Sequence, residues 1–168
     1  YGVTHEGEVT LLELLKAIEK NSPVQEIQGI VYRENGSVIT NPPRPYIKNL
    51  DSLPFPARHI LSDIRNYVPP LGSYSKTPVV SIITSRGCPY GCIFCDNNVF
   101  GREIRYHSPE YVVSEIENAI SVYGAKEIFF LDDTFIVDKE RVKKLLFLIN
   151  KRGIKINWSC MTRVNNVT

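Results

Sequence analysis

The chain has 168 residues, 43% hydrophobic and 23% charged, with a net charge of +2. That length suffices for one ordinary domain or two incomplete ones, and the composition is that of a folded globular protein rather than a disordered tail. So small a charge predicts no nucleic-acid and no membrane partner, and no apolar run reaches the length of a bilayer span.

The opening residues, YGVTHEGEVT, lack the basic-then-apolar layout of a signal peptide and lack an initiator Met. The chain therefore reads as a processed or excised piece, with a cytoplasmic location expected. TLLELLKAIEK (10–20) predicts an amphipathic helix with Leu11, Leu14, Leu15 and Ile18 on its inner face, opened by Thr10 and Glu13 at capping-box spacing. QGIVYR and SVIT on either side of ENG predict a β-hairpin turned at Asn35-Gly36.

Residues 41–58, NPPRPYIKNLDSLPFPAR, carry five prolines and predict an ordered, extended connector, followed by a second irregular stretch up to residue 78. From residue 79 the pattern changes. VVSIITS and AKEIFFLD read as buried strands, and KINWSCM as a third strand. Between them SPEYVVSEIENAISVYG reads as a helix with Ser108 as N-cap, Pro109 at its first position and Gly124 just past its end. DKERVKKLLFLINKRG reads as a second helix, with Val142, Leu145, Leu146 and Ile149 inward and Gly153 as its stop. Strand, helix, strand, helix, strand implies an α/β fold with a parallel sheet. Three segments follow: 1–40, a proline-rich linker over 41–78, and the α/β part over 79–168.

The loop after the first of these strands, RGCPYGCIFCDN, holds three of the four cysteines, Cys88, Cys92 and Cys95, at C-x3-C-x2-C spacing. Clustered cysteines in a chain with no export signal bind metal or react more often than they form disulfides. Gly87 and Gly91 let the backbone curl around a compact cofactor. Three thiolates on one curl suit an iron–sulfur cube with one iron left open, whereas structural zinc takes four protein ligands. The spacing alone also fits a zinc-stabilised structural or binding module completed by His107 or Cys160, or an iron–sulfur electron carrier. Cys160, inside an apolar strand, reads as a small buried hydrophobe.

These residues, with Phe94 just before the last cysteine, resemble the radical S-adenosylmethionine (radical SAM) superfamily. The resemblance implies that Cys88, Cys92 and Cys95 hold a [4Fe–4S] cluster whose open iron is chelated by S-adenosylmethionine. The electron from that cluster would cleave the cosubstrate reductively to a 5′-deoxyadenosyl radical. It also implies a low-potential electron donor such as flavodoxin or ferredoxin, a small-molecule substrate, and a partial (β/α) barrel truncated after its third strand. Phe94 is expected beside the cofactor, and Asn97 and Asn98 are candidates for bonding either the cosubstrate or the loop backbone.

Asp132-Asp133, at the end of the second strand, stands where the family carries a carboxylate for the cosubstrate's amino group. Alignment on Phe135 and Asp138 favours Asp133, strand alternation from Phe130 favours Asp132, and a plain capping role is the other reading. Arg163 could pair with a carboxylate of the cosubstrate or lie idle on the surface. Arg102, Arg105 and His107 form a basic cluster that could face substrate or partner, with a solvated loop as the default reading. No catalytic residue is assigned. Residues 1–40, including Gly7-Glu8, and the connector resemble the junction in superfamily members that carry an N-terminal cobalamin-binding domain. Those members include methyltransferases and the anaerobic oxidative cyclase of magnesium-porphyrin biosynthesis. The expectation is the tail of such a domain, a linker and half a barrel, which alone would neither act on substrate nor bind cobalamin well.

Overall fold

The computed structural model describes residues 1–167, which form two compact units. One joins residues 1–48 to 87–103, and the other joins 49–86 to 104 onward.

In the first unit a three-stranded antiparallel sheet, β1 (Gly2–Val3), β2 (Ile30–Glu34) and β3 (Ser37–Thr40), is ordered β1-β2-β3. Asn35 and Gly36 both have positive φ, 49° and 83°, so the hairpin closes on the mirror-image turn that matches strand twist. Helix α1 (Gly7–Glu19) contributes Leu14 and Ala17 to a small core with Ile27, Ile30 and Tyr32. Two expectations for this helix fail. It begins before Thr10, so Thr10 has no first-turn amide to cap. Its buried hydroxyl instead donates to the Gln28 carbonyl at 3.1 Å and accepts from Arg44 Nε at 2.8 Å, while Glu13 pairs with Arg44. Of the expected inner face only Leu14 is buried; Leu11, Leu15 and Ile18 are exposed, and the small core takes Leu14 and Ala17 from the helix.

The second unit holds the parallel sheet expected from the strand–helix alternation. Strands β4 (Val79–Ile82), β7 (Glu127–Phe130) and β8 (Asn157–Cys160) are ordered β4-β7-β8, with Val80 opposite Ile128 and Ile128 opposite Trp158. A short antiparallel pair, β5 (Ser85–Arg86) with β6 (Arg105–Tyr106), brackets the cysteine loop in sequence.

Helices α2 (Pro109–Tyr123) and α3 (Lys139–Lys151) start and stop where their caps dictate. Ser108 accepts from the Tyr111 N–H, Gly124 ends α2 at φ 65°, and Asp138 accepts from the Arg141 N–H. The core between sheet and helices includes Val112, Val113, Ile116, Ile128, Phe130 and Leu145. Each such side chain contributes about 1.5–3 kcal/mol by leaving water. Phe130 stacks on Phe135 at 4.5 Å, and Cys160 packs against the same core, with burial pushing its thiol pKa up.

The connector is ordered but not simply extended. Three 3₁₀ turns interrupt it, Leu50–Ser52, Arg58–Ile60 and Ile64–Asn66, each placed between prolines or opened by an Asn or Asp side chain. The second turn carries Arg58 into the core, where it meets Glu115 of α2 at 2.7 Å and the Ser81 carbonyl at 2.9 Å. No helix among the described residues is long and apolar enough to cross a membrane.

Candidate functional site

Where β4 ends, Thr84 and Ser85 turn the chain toward the cysteine loop. Both bond to the carboxylate of Asp132, which is 1% exposed. Thr84 donates its backbone N–H at 2.6 Å and its hydroxyl at 2.5 Å; Ser85 donates its N–H at 3.3 Å and its hydroxyl at 2.8 Å. Four donors satisfy a buried charge that would otherwise be costly. Asp132 therefore joins the C-terminal ends of β4 and β7. Its neighbour Asp133 is exposed.

The segment between Arg86 and Ile104 belongs to the first unit. Gly87, at φ 93°, brings the backbone so close to the Glu103 carbonyl that a Cβ there would lie 2.3 Å from its oxygen. The Cys88 N–H donates to the Gly101 carbonyl at 3.2 Å, and the Gly101 N–H donates to the Asn97 carbonyl at 2.9 Å, so outgoing and returning limbs are tied. Cys88 and Cys92 are half-buried and Cys95 is exposed; none forms a disulfide. Cys95 Sγ donates to Asn97 Oδ1 at 3.3 Å, and Asn97 Nδ2 reaches the Tyr90 carbonyl at 3.5 Å, so Asn97 bonds the loop itself. Phe94 is 89% exposed.

The donor set fits an iron–sulfur cube. Three soft thiols on one short loop would hold three corners of such a cube and leave the fourth open. Among the described residues, no three His, Cys, Asp or Glu side chains converge on a single ion. Of the residues named as completing a zinc site, His107 is occupied with Asp51 and Cys160 with the core.

In the second unit Arg163 is exposed ahead of the short turn Val164–Asn166. The expectation of a solvated basic loop fails for two of its three residues, Arg105 and His107, which are buried; only Arg102 is exposed, donating to the Tyr90 carbonyl at 3.2 Å. His107 Nδ1 lies 3.1 Å from Asp51 Oδ1, and its ring stacks on Tyr111 at 4.1 Å. Arg141, also buried, donates to the Thr84 and His107 carbonyls and lies over the Tyr106 ring at 4.8 Å. Sequence reading missed Thr84, Ser85 and Arg141. Thr84 meets Asp132 across 48 residues and Arg141 across 57, and no local pattern carries such pairings.

At the N-terminal end of β7, Glu127 accepts from the Ser75 and Lys76 N–H groups, both at 2.9 Å. Burial raises its pKa, but these bonds outweigh it and hold the carboxyl below its ordinary value.

Residues 82–165, half of the chain, match the family model of the radical SAM superfamily. An uncharacterised methyltransferase of Pyrococcus horikoshii is 40% identical over 166 residues, covering 97% of this chain and 34% of that protein. The anaerobic magnesium-protoporphyrin IX monomethyl ester cyclase of Cereibacter sphaeroides is 28% identical over 171 residues, covering 98% of this chain and 27% of that protein. Among solved structures, the cobalamin-dependent S-adenosylmethionine radical enzyme OxsB, with aqua-cobalamin and S-adenosylmethionine bound, aligns over 92% of this chain and 21% of its own, at a TM-score of 0.72 and 26% identity. The chain thus spans about a third or less of the length of these relatives. With three cysteines on a glycine-turned loop after the first strand of a parallel α/β sheet, and with that loop and the sheet's other two strands inside the matched region, the chain belongs to the radical SAM superfamily.

Proposed function

We propose that this chain is the cluster-binding part of a radical SAM enzyme, comprising the tail of a cobalamin-binding domain, a linker and the first half of a (β/α) barrel. The observation that carries the reading is the loop of Cys88, Cys92 and Cys95, closed at its base by Gly87 and Gly101. These cysteines hold a [4Fe–4S] cluster. When bound, the cluster supplies the electron that cleaves S-adenosylmethionine to methionine and a 5′-deoxyadenosyl radical. Asp133 offers the cosubstrate's ammonium an exposed carboxylate, while Asp132 is committed to Thr84 and Ser85. Phe94 offers an exposed ring for stacking, and Arg163 offers a guanidinium to a cosubstrate carboxylate.

The complete enzyme acts on a small molecule, draws electrons from a flavodoxin- or ferredoxin-like donor, works in the cytoplasm and uses cobalamin, as a methyltransferase or an oxidative cyclase. The Pyrococcus relative and OxsB support this choice. The test is anaerobic reconstitution of the full-length protein, with assays for S-adenosylmethionine cleavage and equilibrium dialysis against hydroxocobalamin. Iron and sulfide uptake with reductive cleavage supports the radical reading. Stoichiometric zinc without iron overturns it, uptake of iron without cleavage leaves an electron carrier, and failure to bind the corrinoid leaves a plain radical enzyme.

A further inference from the structure

Two residues, His5 near the N-terminus and Tyr46 in the connector, reach the cysteine loop inside the first unit. His5 sits at φ 57°, in the left-handed region that side chains rarely adopt. Its Nδ1 lies 2.7 Å from the backbone carbonyl oxygen of Asn98, across 93 residues of sequence. A carbonyl only accepts, so Nδ1 carries the proton and donates. The His5 ring also meets Tyr46 edge-on, at 5.9 Å and 88°. Tyr46 in turn lies against Gly101, where φ is 72° and a Cβ would come within 2.9 Å of Tyr46 Cε2.

Asn98 and Gly101 both belong to the returning limb of the loop. Gly101 is bonded to Cys88 and to Asn97, and Asn97 bonds Cys95. We propose that His5 and Tyr46 are positioning residues for the cluster-binding loop, holding its returning limb at Asn98 and Gly101 so that Asn97 and Gly101 fix Cys95 and Cys88. The inference rests on the cluster reading above for its consequence but not for its geometry. With Cys95 on iron as a thiolate, its S–H bond to Asn97 Oδ1 would be lost, and Asn97 Nδ2 would be a group on this limb able to donate to the sulfur. The limb that carries Asn97 then decides the hydrogen bonding, and with it the electronic environment, of one cluster corner.

The test uses the full-length protein with His5→Ala, His5→Asn, His5→Gly and Tyr46→Leu. In metal-free protein, amide exchange is read at Cys88 and Gly101. In reconstituted, reduced protein of equal iron content, the electron paramagnetic resonance spectrum of the cluster is read. His5→Ala and Tyr46→Leu should speed exchange at both amides about tenfold and shift or broaden the spectrum. His5→Asn keeps a donor at the same reach and tolerates the left-handed backbone, so it should restore both readouts. His5→Gly relaxes the backbone without a donor and should restore neither.

Unchanged exchange and spectrum in His5→Ala overturn the proposal. So does rescue by His5→Gly equal to that by His5→Asn, a comparison that still decides if His5→Ala fails to fold. If the unaltered protein takes up no iron, the cluster reading falls while the exchange arm still decides the tether.

Discussion

Asp132 and Thr84 are joined by two hydrogen bonds, from the Thr84 backbone N–H at 2.6 Å and its hydroxyl at 2.5 Å, across the ends of two neighbouring parallel strands. Asp133, one residue on, is exposed. Adjacent carboxylates of like chemistry thus have different surroundings, and substitution should separate them. Asp132→Asn keeps the shape and one accepting oxygen, but it removes the charge that all four donors share. It also puts an NH2, which only donates, against the Thr84 and Ser85 hydroxyls, which must turn round to accept. It should cost about 1–3 kcal/mol of stability in thermal or urea unfolding. Asp133→Asn should leave stability unchanged and, in the full-length enzyme with equal cluster content, weaken S-adenosylmethionine binding about tenfold to a hundredfold, as loss of one charge-assisted bond does. Equal stability loss in both variants would refute the division of roles.

Arg58 gives a second prediction. Its guanidinium and the Glu115 carboxylate are both almost wholly buried, 2.7 Å apart. Burial raises the Glu115 pKa, and Arg58 opposes that rise. Arg58→Ala strands a charged group in the core and should destabilise by about 3–5 kcal/mol. The double replacement Arg58→Met with Glu115→Leu removes both charges and should recover most of the loss in the same unfolding assay. A double variant as unstable as the single one would show that the connector turn, not the ion pair, carries the energy.

The second unit was legible because its signals are local. Ser108, Asp138, Gly124 and Gly153 bound helices whose inward positions repeat at helical spacing, and the short runs at 79 and 127, rich in Val, Ile and Phe, are largely buried. The cysteine spacing and its glycines were equally local. What sequence could not supply were pairings set by tertiary structure. Thr10 has the right neighbour for a cap, yet the helix had already started, and Arg44, 34 residues away, claimed its hydroxyl. Arg105 and His107 look like loop residues because nothing nearby in sequence announces Asp51, Tyr111 or Arg141. Nothing near His5 in sequence announces its bond to Asn98, 93 residues away.

Iron content offers a third prediction. Replacing Cys88, Cys92 and Cys95 together by Ala should abolish iron and sulfide uptake and the visible absorbance of the reconstituted protein. Cys160→Ala should leave both intact, since that thiol packs against the apolar core of the parallel sheet. Air exposure should bleach the cluster faster without S-adenosylmethionine than with it, because cosubstrate covers the iron that no protein ligand protects. Loss of iron in Cys160→Ala at unchanged stability would move the fourth cysteine into the site.

The pH dependence of stability follows from His107. Burial pushes its pKa below 6.5; Asp51 opposes this, while Arg86 and Arg141 act with burial. The unfolded chain recovers the ordinary value of about 6.5, so below that pH it binds a proton that the folded chain refuses. Stability is therefore complete above about pH 6.5 and falls as pH drops through the folded value. Asp51 adds a second loss further into acid. Burial raises its pKa, but bonds from Ser108 and His107 outweigh that and hold it below 3.8, so its contribution fades as the carboxylate range is crossed from above. His107→Asn keeps a donor toward Asp51 but has no proton to gain. Urea unfolding between about pH 7.5 and pH 5 should show declining stability in the unaltered protein and a nearly flat line in His107→Asn, with the deeper acid loss retained by both. Parallel slopes in the two proteins would place the proton uptake elsewhere.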